Sequence, residues 1–77
     1  MDTNQIREIL FHSLQDFGIQ IISHEQKMVY LEKDYTIEIE ARNLFKLLHN
    51  NQVIAPFNDV EELCNFIKMD MQLNEEN

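Results

Sequence analysis

The 77 residues carry 14 acidic and 6 basic side chains, a net charge of -8; such a field repels a phosphate backbone unless a basic patch intervenes, and none is visible, so nucleic acid is not an expected partner. One cysteine cannot close an internal disulfide, no stretch approaches the ~18 consecutive apolar residues of a membrane span, and MDTNQIREIL lacks the basic-then-apolar pattern of a secretory signal. The expectation is a single cytoplasmic domain over residues 1–77 with no membrane association.

Residues 3–17 read as a first helix. Thr3 or Asn4 can cap it, Glu8 lies near its first turn, and Ile6, Ile9, Leu10, Leu14 and Phe17 supply an apolar stripe that leaves out His12 and Gln15. Gly18, the one glycine, stands where a left-handed residue would close the helix. Ile19 to Ser23 and Met28 to Glu32 read as strands joined by His24-Glu25-Gln26-Lys27, and Lys33-Asp34 turns the chain into a third. Neither Lys33 nor Asp34 is the glycine that a two-residue turn favours, which leaves room for a slightly longer loop. From Tyr35 to Glu40 the alternation is strict, with Tyr35, Ile37 and Ile39 on one side and Thr36, Glu38 and Glu40 on the other.

Residues 41–51 have two readings. As a helix, Ala41, Leu44, Phe45 and Leu48 share a face. As a hairpin, Leu44 to His49 turns at Asn50-Asn51 into Gln52 to Phe57, because asparagine tolerates the positive φ of a tight turn; Leu48 then lies opposite Val53 and Leu44 opposite Phe57. The hairpin is preferred because it gives Val53 and Ile54 a local partner. Pro56 confines its strand to a sheet edge. Asn58 or Asp59 caps a last helix, followed by Glu61 or Glu62 at capping-box spacing and by the stripe Val60, Leu63, Cys64, Ile67 and Met71. Residues 72–77 read as a disordered acidic tail.

The predicted fold is therefore a two-layer α+β domain: N-terminal helix, antiparallel β-meander of four or five strands, C-terminal helix, both helices on one sheet face. At 9.3 kDa it should expose roughly 13,500 Å² unfolded and about 5,000 Å² folded. Apolar burial then contributes about 120 kcal/mol against about 115 of ordering cost, so a partner subunit would add usefully to a thin margin. The layout and charge are similar to those of secretion chaperones, with no shared motif.

Regular loops put Ile19, Ile21, Met28, Tyr30, Ile37 and Ile39 on the core face, and Ile22, Val29 and Leu31 beside Thr36, Glu38 and Glu40 on the other. In the hairpin reading Phe45, Leu47 and Ile54 join that second face. Aliphatic side chains there would form a patch of a few hundred Å², large for a soluble monomer. The candidate interface is accordingly Ile22, Val29, Leu31, Glu38, Phe45, Leu47 and Ile54. Its blander explanation is a loop of different length that flips one strand, or a helix over residues 41–49 that covers the face.

Chemistry is sparse. His12, His24 and His49 are isolated, so no metal site is expected. Cys64 sits on a buried stripe, where a thiol is inert. Glu38 and Glu40 share a strand face, as solvated charges commonly do, and there is no GxGxxG, Walker loop or nucleophile elbow. Tyr30, Tyr35, Phe11 and Phe57 read as packing, and no cofactor is expected. The leading expectation is a non-catalytic protein-interaction module, adaptor or chaperone-like, whose protein partner includes itself as a homodimer. The alternatives are a small-molecule binder or accessory enzyme subunit, with a pocket between sheet and helices holding Tyr30 or His49, and an edge at Gln52 to Phe57 that accepts a partner's strand.

Overall fold

The computed structural model describes residues 3–41 and 43–75. Helix α1 (Thr3–Asp16) leads into strands β1 (Ile21–His24), β2 (Met28–Leu31), β3 (Tyr35–Ala41), β4 (Leu44–His49) and β5 (Gln52–Phe57), and helix α2 (Val60–Glu75) closes the chain. The sheet is a simple meander in the order β1-β2-β3-β4-β5, every neighbour antiparallel. Residues 41–51 thus form the end of a strand and a hairpin, not a helix. The expected α+β architecture with both helices against one sheet face is what the chain adopts.

Each helix boundary has a local cause. At the end of α1, Gly18 takes φ 75°, its N–H donates to the Gln15 carbonyl (3.0 Å), and the Ile19 N–H reaches back to Leu14 (2.9 Å). That pair of bonds is a Schellman cap, and the buried Leu14 and Ile19 supply its apolar contact. At the start of α2, Asp59 is the cap: its Oδ1 accepts from the Glu61 N–H (3.1 Å) and its carbonyl takes the first helical bond from Leu63 (3.0 Å). The helix continues through residues 72–75, so the expected disordered tail is corrected there. Residues 76 and 77, and the side chains of Thr3 and Asn4 proposed as a cap, lie outside the described residues.

One core holds the layers together. Ile6, Leu10 and Leu14 of α1 and Leu63, Cys64, Ile67 and Met71 of α2 bury against Val29, Leu31, Tyr35, Ile37, Ile39, Phe45 and Leu47 of the sheet, with Ile19 between them. Phe57 and Phe66 close its margin with ring centroids 5.3 Å apart. Ile9 was expected on the apolar stripe but is 46% exposed. The chain exposes 5065 Å², close to the ~5,000 Å² that surface scaling gives for its mass.

The core-facing set corrects the predicted faces. Val29 pairs with Ile37 and Tyr30 with Thr36, so the loop between β2 and β3 holds three residues, Glu32, Lys33 and Asp34, where a two-residue turn was expected. Because side chains alternate with period two, one extra loop residue turns the whole of β2 over. Val29 and Leu31 therefore point into the core, and Met28 and Tyr30 point out. Loop formation needs Lys33 (φ 59°) and Asp34 (φ 67°) in the left-handed region, at a cost of roughly 1–2 kcal/mol each. Burial of the two β2 side chains, at about 1.5–3 kcal/mol apiece, outweighs it.

A second irregularity acts on β5. Leu48 pairs with Val53, as predicted, but Leu47 pairs with Ala55 and Phe45 with Phe57, so Ile54 is an inserted bulge residue. Phe57 thereby faces Phe45 and the core instead of Leu44. The turn itself has Asn50 (φ 54°) and Asn51 (φ 65°) at its centre, the left-handed pair that a two-residue hairpin requires.

Candidate functional site

The face of the sheet turned away from the helices is the surface left for function. Of the seven residues assigned to it from sequence, Val29, Leu31, Phe45 and Leu47 are buried in the core, for the period-two reason just given. Phe45 and Leu47 follow the parity of Ile39 and Ile37, their cross-strand partners in β3. Ile22, Glu38 and Ile54 remain at the surface. Missed from sequence were Met28, Tyr30 and Leu48, half-buried side chains that stand on this face instead.

Cross-strand register orders this face into rows. One runs Ser23, Tyr30, Thr36, Leu48, Val53 from edge to edge; its neighbour runs Met28, Glu38, Lys46, Pro56. The first row is an apolar band in which Thr36 stands between Tyr30 and Leu48 in register, and the exposed Ile22, Val53 and Ile54 extend its ends. Ile22 is 61% and Val53 56% exposed. Ile22 is the bulge of β1, placed between Ile21, which pairs with the buried Leu31, and Ser23, which pairs with Tyr30.

Where the band meets the loops, a shallow depression of about 680 Å³ is lined by Ile22, Tyr30, Thr36, Lys33, Asp34, Asn50 and Asn51, with Leu31, Glu32 and Tyr35 at its base and rim. An Asn50 N–H donating to the Asp34 carbonyl (3.1 Å) ties its two loops together. All four non-glycine positive-φ residues among the described residues lie in these loops. The Tyr30 hydroxyl donates to Glu25 Oε1 (3.2 Å), and desolvation followed by the charge of that carboxylate raises its pKa.

Charge is distributed unevenly about the sheet. On the open face Lys46 sits directly across from Glu38 and forms an ion pair with Glu40, which raises the lysine's pKa. With Glu38 and Glu40 against Lys46, one net negative charge remains there. Along α2 and its cap, Asp59, Glu61, Glu62 and Asp70 stand against Lys68.

At the loop end of the sheet a part-buried polar cluster joins the sheet to α2. The Tyr35 hydroxyl donates to Asp70 Oδ2, Asn74 Nδ2 donates to the Tyr35 oxygen (3.3 Å), and the His49 ring stacks on Tyr35 at 4.2 Å between centroids. Burial, then the hydrogen bond and charge of Asp70, push the Tyr35 pKa up to about 12. Residues 35 and 49 are cross-strand partners and residues 70 and 74 are one helical turn apart, so this cluster fastens the C-terminal half of α2 to the sheet. Burial also pushes the Cys64 thiol up to about 12, with Glu61 adding to it; a thiol so held is almost wholly protonated near neutral pH.

Among the described residues no group of three or more His, Cys, Asp or Glu converges as a metal site would require, and no helix is long and apolar enough to cross a membrane. The centre of the space between the sheet and the helices is filled by fully buried side chains, Leu10, Leu14, Leu63 and Ile67 among them, and at its margin an open depression of about 450 Å³ lies between α1, β4 and the start of α2, lined by Ile6, Ile9, Ser13, Phe45, Val60 and Glu61. Tyr30 lies outside that space, and His49 is committed to its stack on Tyr35. No family model, no curated protein and no solved structure matches this chain.

Proposed function

We propose that this chain is a non-catalytic protein-interaction module whose open sheet face receives a second copy of itself. The observation that carries the reading is the apolar band of Ile22, Tyr30, Leu48 and Val53 on a five-stranded face that, among the described residues, no helix covers. A one-sided antiparallel sheet normally presents polar residues to water, and an apolar strip rimmed by polar groups is how interaction surfaces are built.

Charge favours a second copy as occupant. Face-to-face stacking would bring together two surfaces of one net negative charge each and leave the more strongly acidic α2 of each copy on the outside of the pair, as far apart as the fold allows. A two-fold axis also makes the contact self-complementary. Burial of the band would add to the thin stability margin of so short a chain.

Sedimentation over a concentration series tests this. The wild-type chain is expected to be a dimer at tens of micromolar, and Leu48→Glu, which places a carboxylate in the middle of the band, is expected to be a folded monomer by circular dichroism. A wild-type monomer at those concentrations, or a Leu48→Glu dimer of unchanged affinity, would overturn the reading.

A further inference from the structure

We infer that the depression between α1, β4 and the start of α2 is a binding site for a small apolar cation, a hydrocarbon chain that ends in a protonated amine. It lies on the helical side of the sheet, so the inference stands or falls independently of self-association through the open face.

The shape of the site follows from the way α1 is seated. Leu10 and Leu14 are fully buried, whereas Ile9, from the same apolar stripe, is 46% exposed. Ile6, Ile9 and Ser13 stand at i, i+3 and i+7 and so share one face of the helix, and that face lines the depression together with Phe45 of β4 and Val60 of α2. Ile6 and Phe45 are buried and Val60 is half-buried, which gives the depression an apolar floor held in place by the core. At about 450 Å³ the space is of the size of ligand sites, which join an apolar lining to a few polar groups that fix orientation.

Most of the polar lining comes from the start of α2. Asn58, Asp59 and Glu61 stand there, all exposed, with Asn43 before β4. Among the described residues the lining holds two carboxylates and no basic side chain. The first turn of α2 contributes a partial positive charge of about 0.5, and Asp59 Oδ1 already accepts one of its N–H groups. Two full negative charges outweigh that fraction. Lys68, the one lysine of α2, has its ammonium beside Gly18, past the C-terminal end of α1. A fatty carboxylate would meet two like charges at this rim, and an alcohol would gain little from them. An ammonium is attracted by both while its chain covers Ile9 and Val60.

Titration of the isotope-labelled chain with octylammonium chloride, followed by its amide resonances, provides the test. Saturable shifts are expected at residues 6–13, 43–45 and 58–61, with a dissociation constant that is roughly millimolar or tighter and no shift at Tyr30 or Leu48. Octanoate should bind about tenfold more weakly or worse. Glu61→Gln, an exposed change, should weaken octylammonium binding about threefold or more. Ile9→Lys, which sets a fixed cation in the depression, should abolish it while the circular dichroism spectrum stays native. Arg42→Ala, which removes a cation next in sequence to Asn43, should bind at least as tightly as the wild type, and Leu48→Glu should bind equally. The absence of saturable shifts, octanoate bound as well as octylammonium, or unchanged binding by Glu61→Gln would each overturn the inference. A lysine-containing peptide that shifts the same residues at lower concentration than octylammonium would overturn it in favour of a protein ligand.

Discussion

Both faces of the sheet are drawn from the same five strands, yet they have opposite physical characters. On the covered face Val29, Leu31, Tyr35, Ile37, Ile39, Phe45 and Leu47 are all nearly inaccessible, and the one polar atom among their side chains, the Tyr35 hydroxyl, is bonded to Asp70 and Asn74. On the open face apolar residues alternate with Thr36, Glu38 and Lys46, and none of the side chains is fully buried. Neighbouring residues in one strand can thus differ in energetic weight by several kcal/mol, and which is which rests on the parity set by loop length. The open face is where the chain retains apolar surface without having used it for its own stability.

The most severe way to break this contrast is to change the parity. Deleting Lys33 would shorten the β2–β3 loop to two residues and turn Val29 and Leu31 outward. Urea unfolding should then show a loss of about 3–6 kcal/mol, partly offset by Met28 and Tyr30 entering the core, which is enough to unfold a chain with so small a margin. A variant as stable as the wild type would mean that the loop does not set the face.

Next in size is a pair of adjacent truncations. Leu47→Ala should cost about 2–5 kcal/mol because it opens a cavity in a closed core, whereas Leu48→Ala on the open face should cost about 1 kcal/mol or less. Equal costs in denaturant unfolding at low protein concentration would dissolve the distinction between faces.

A smaller effect sharpens the account of the polar cluster. The Tyr35 pKa lies above its ordinary value of 10.0, at about 12, and that of Cys64 lies above 9.0, also at about 12. In both cases the folded state holds the neutral form more firmly than the unfolded state does. The stability from these groups is therefore fully present below the unfolded pKa and is lost as pH rises through the folded value. Stability should decline first from about pH 9 as Cys64 begins to ionise in the unfolded chain, and then more steeply above about pH 10 as Tyr35 joins it. Tyr35→Phe should remove the second part of that decline. It should also lower stability at neutral pH by roughly 1–3 kcal/mol, because Asp70 and Asn74 lose a partner. An unchanged alkaline profile in the variant would show that the hydroxyl is not what titrates.

The least effect is expected from Lys46→Gln. Its pair with Glu40 is solvated, as surface ion pairs commonly are, and thermal unfolding should not register its loss. A measurable fall in melting temperature would mean that the open face is more constrained than its exposure indicates.

Local signals in the sequence were sufficient for the elements. Gly18 ends α1 through its positive φ, Asp59 starts α2 by accepting an N–H, and Asn50-Asn51 makes the hairpin turn that settles residues 41–51 as strands. Residues 72–75 extend α2 beyond the last apolar position of its stripe, because residue 74 is held by Tyr35 of the sheet, a contact 39 positions away along the chain. No local pattern contains such a contact.

The candidate surface was legible only in part, since Ile22, Glu38 and Ile54 were placed at the surface and Val29, Leu31, Phe45 and Leu47 were misplaced there. The amino-acid order by itself determined the meander, its two flanking helices and the acidity of the last of them, because capping, turn formation and alternation act between near neighbours. Only the packed structure decided which side of β2 and β4 faces the helices. A three-residue turn and a one-residue bulge differ from their regular counterparts by small local energies, and the choice between them is made by the core that Val29, Leu31 and Phe57 complete.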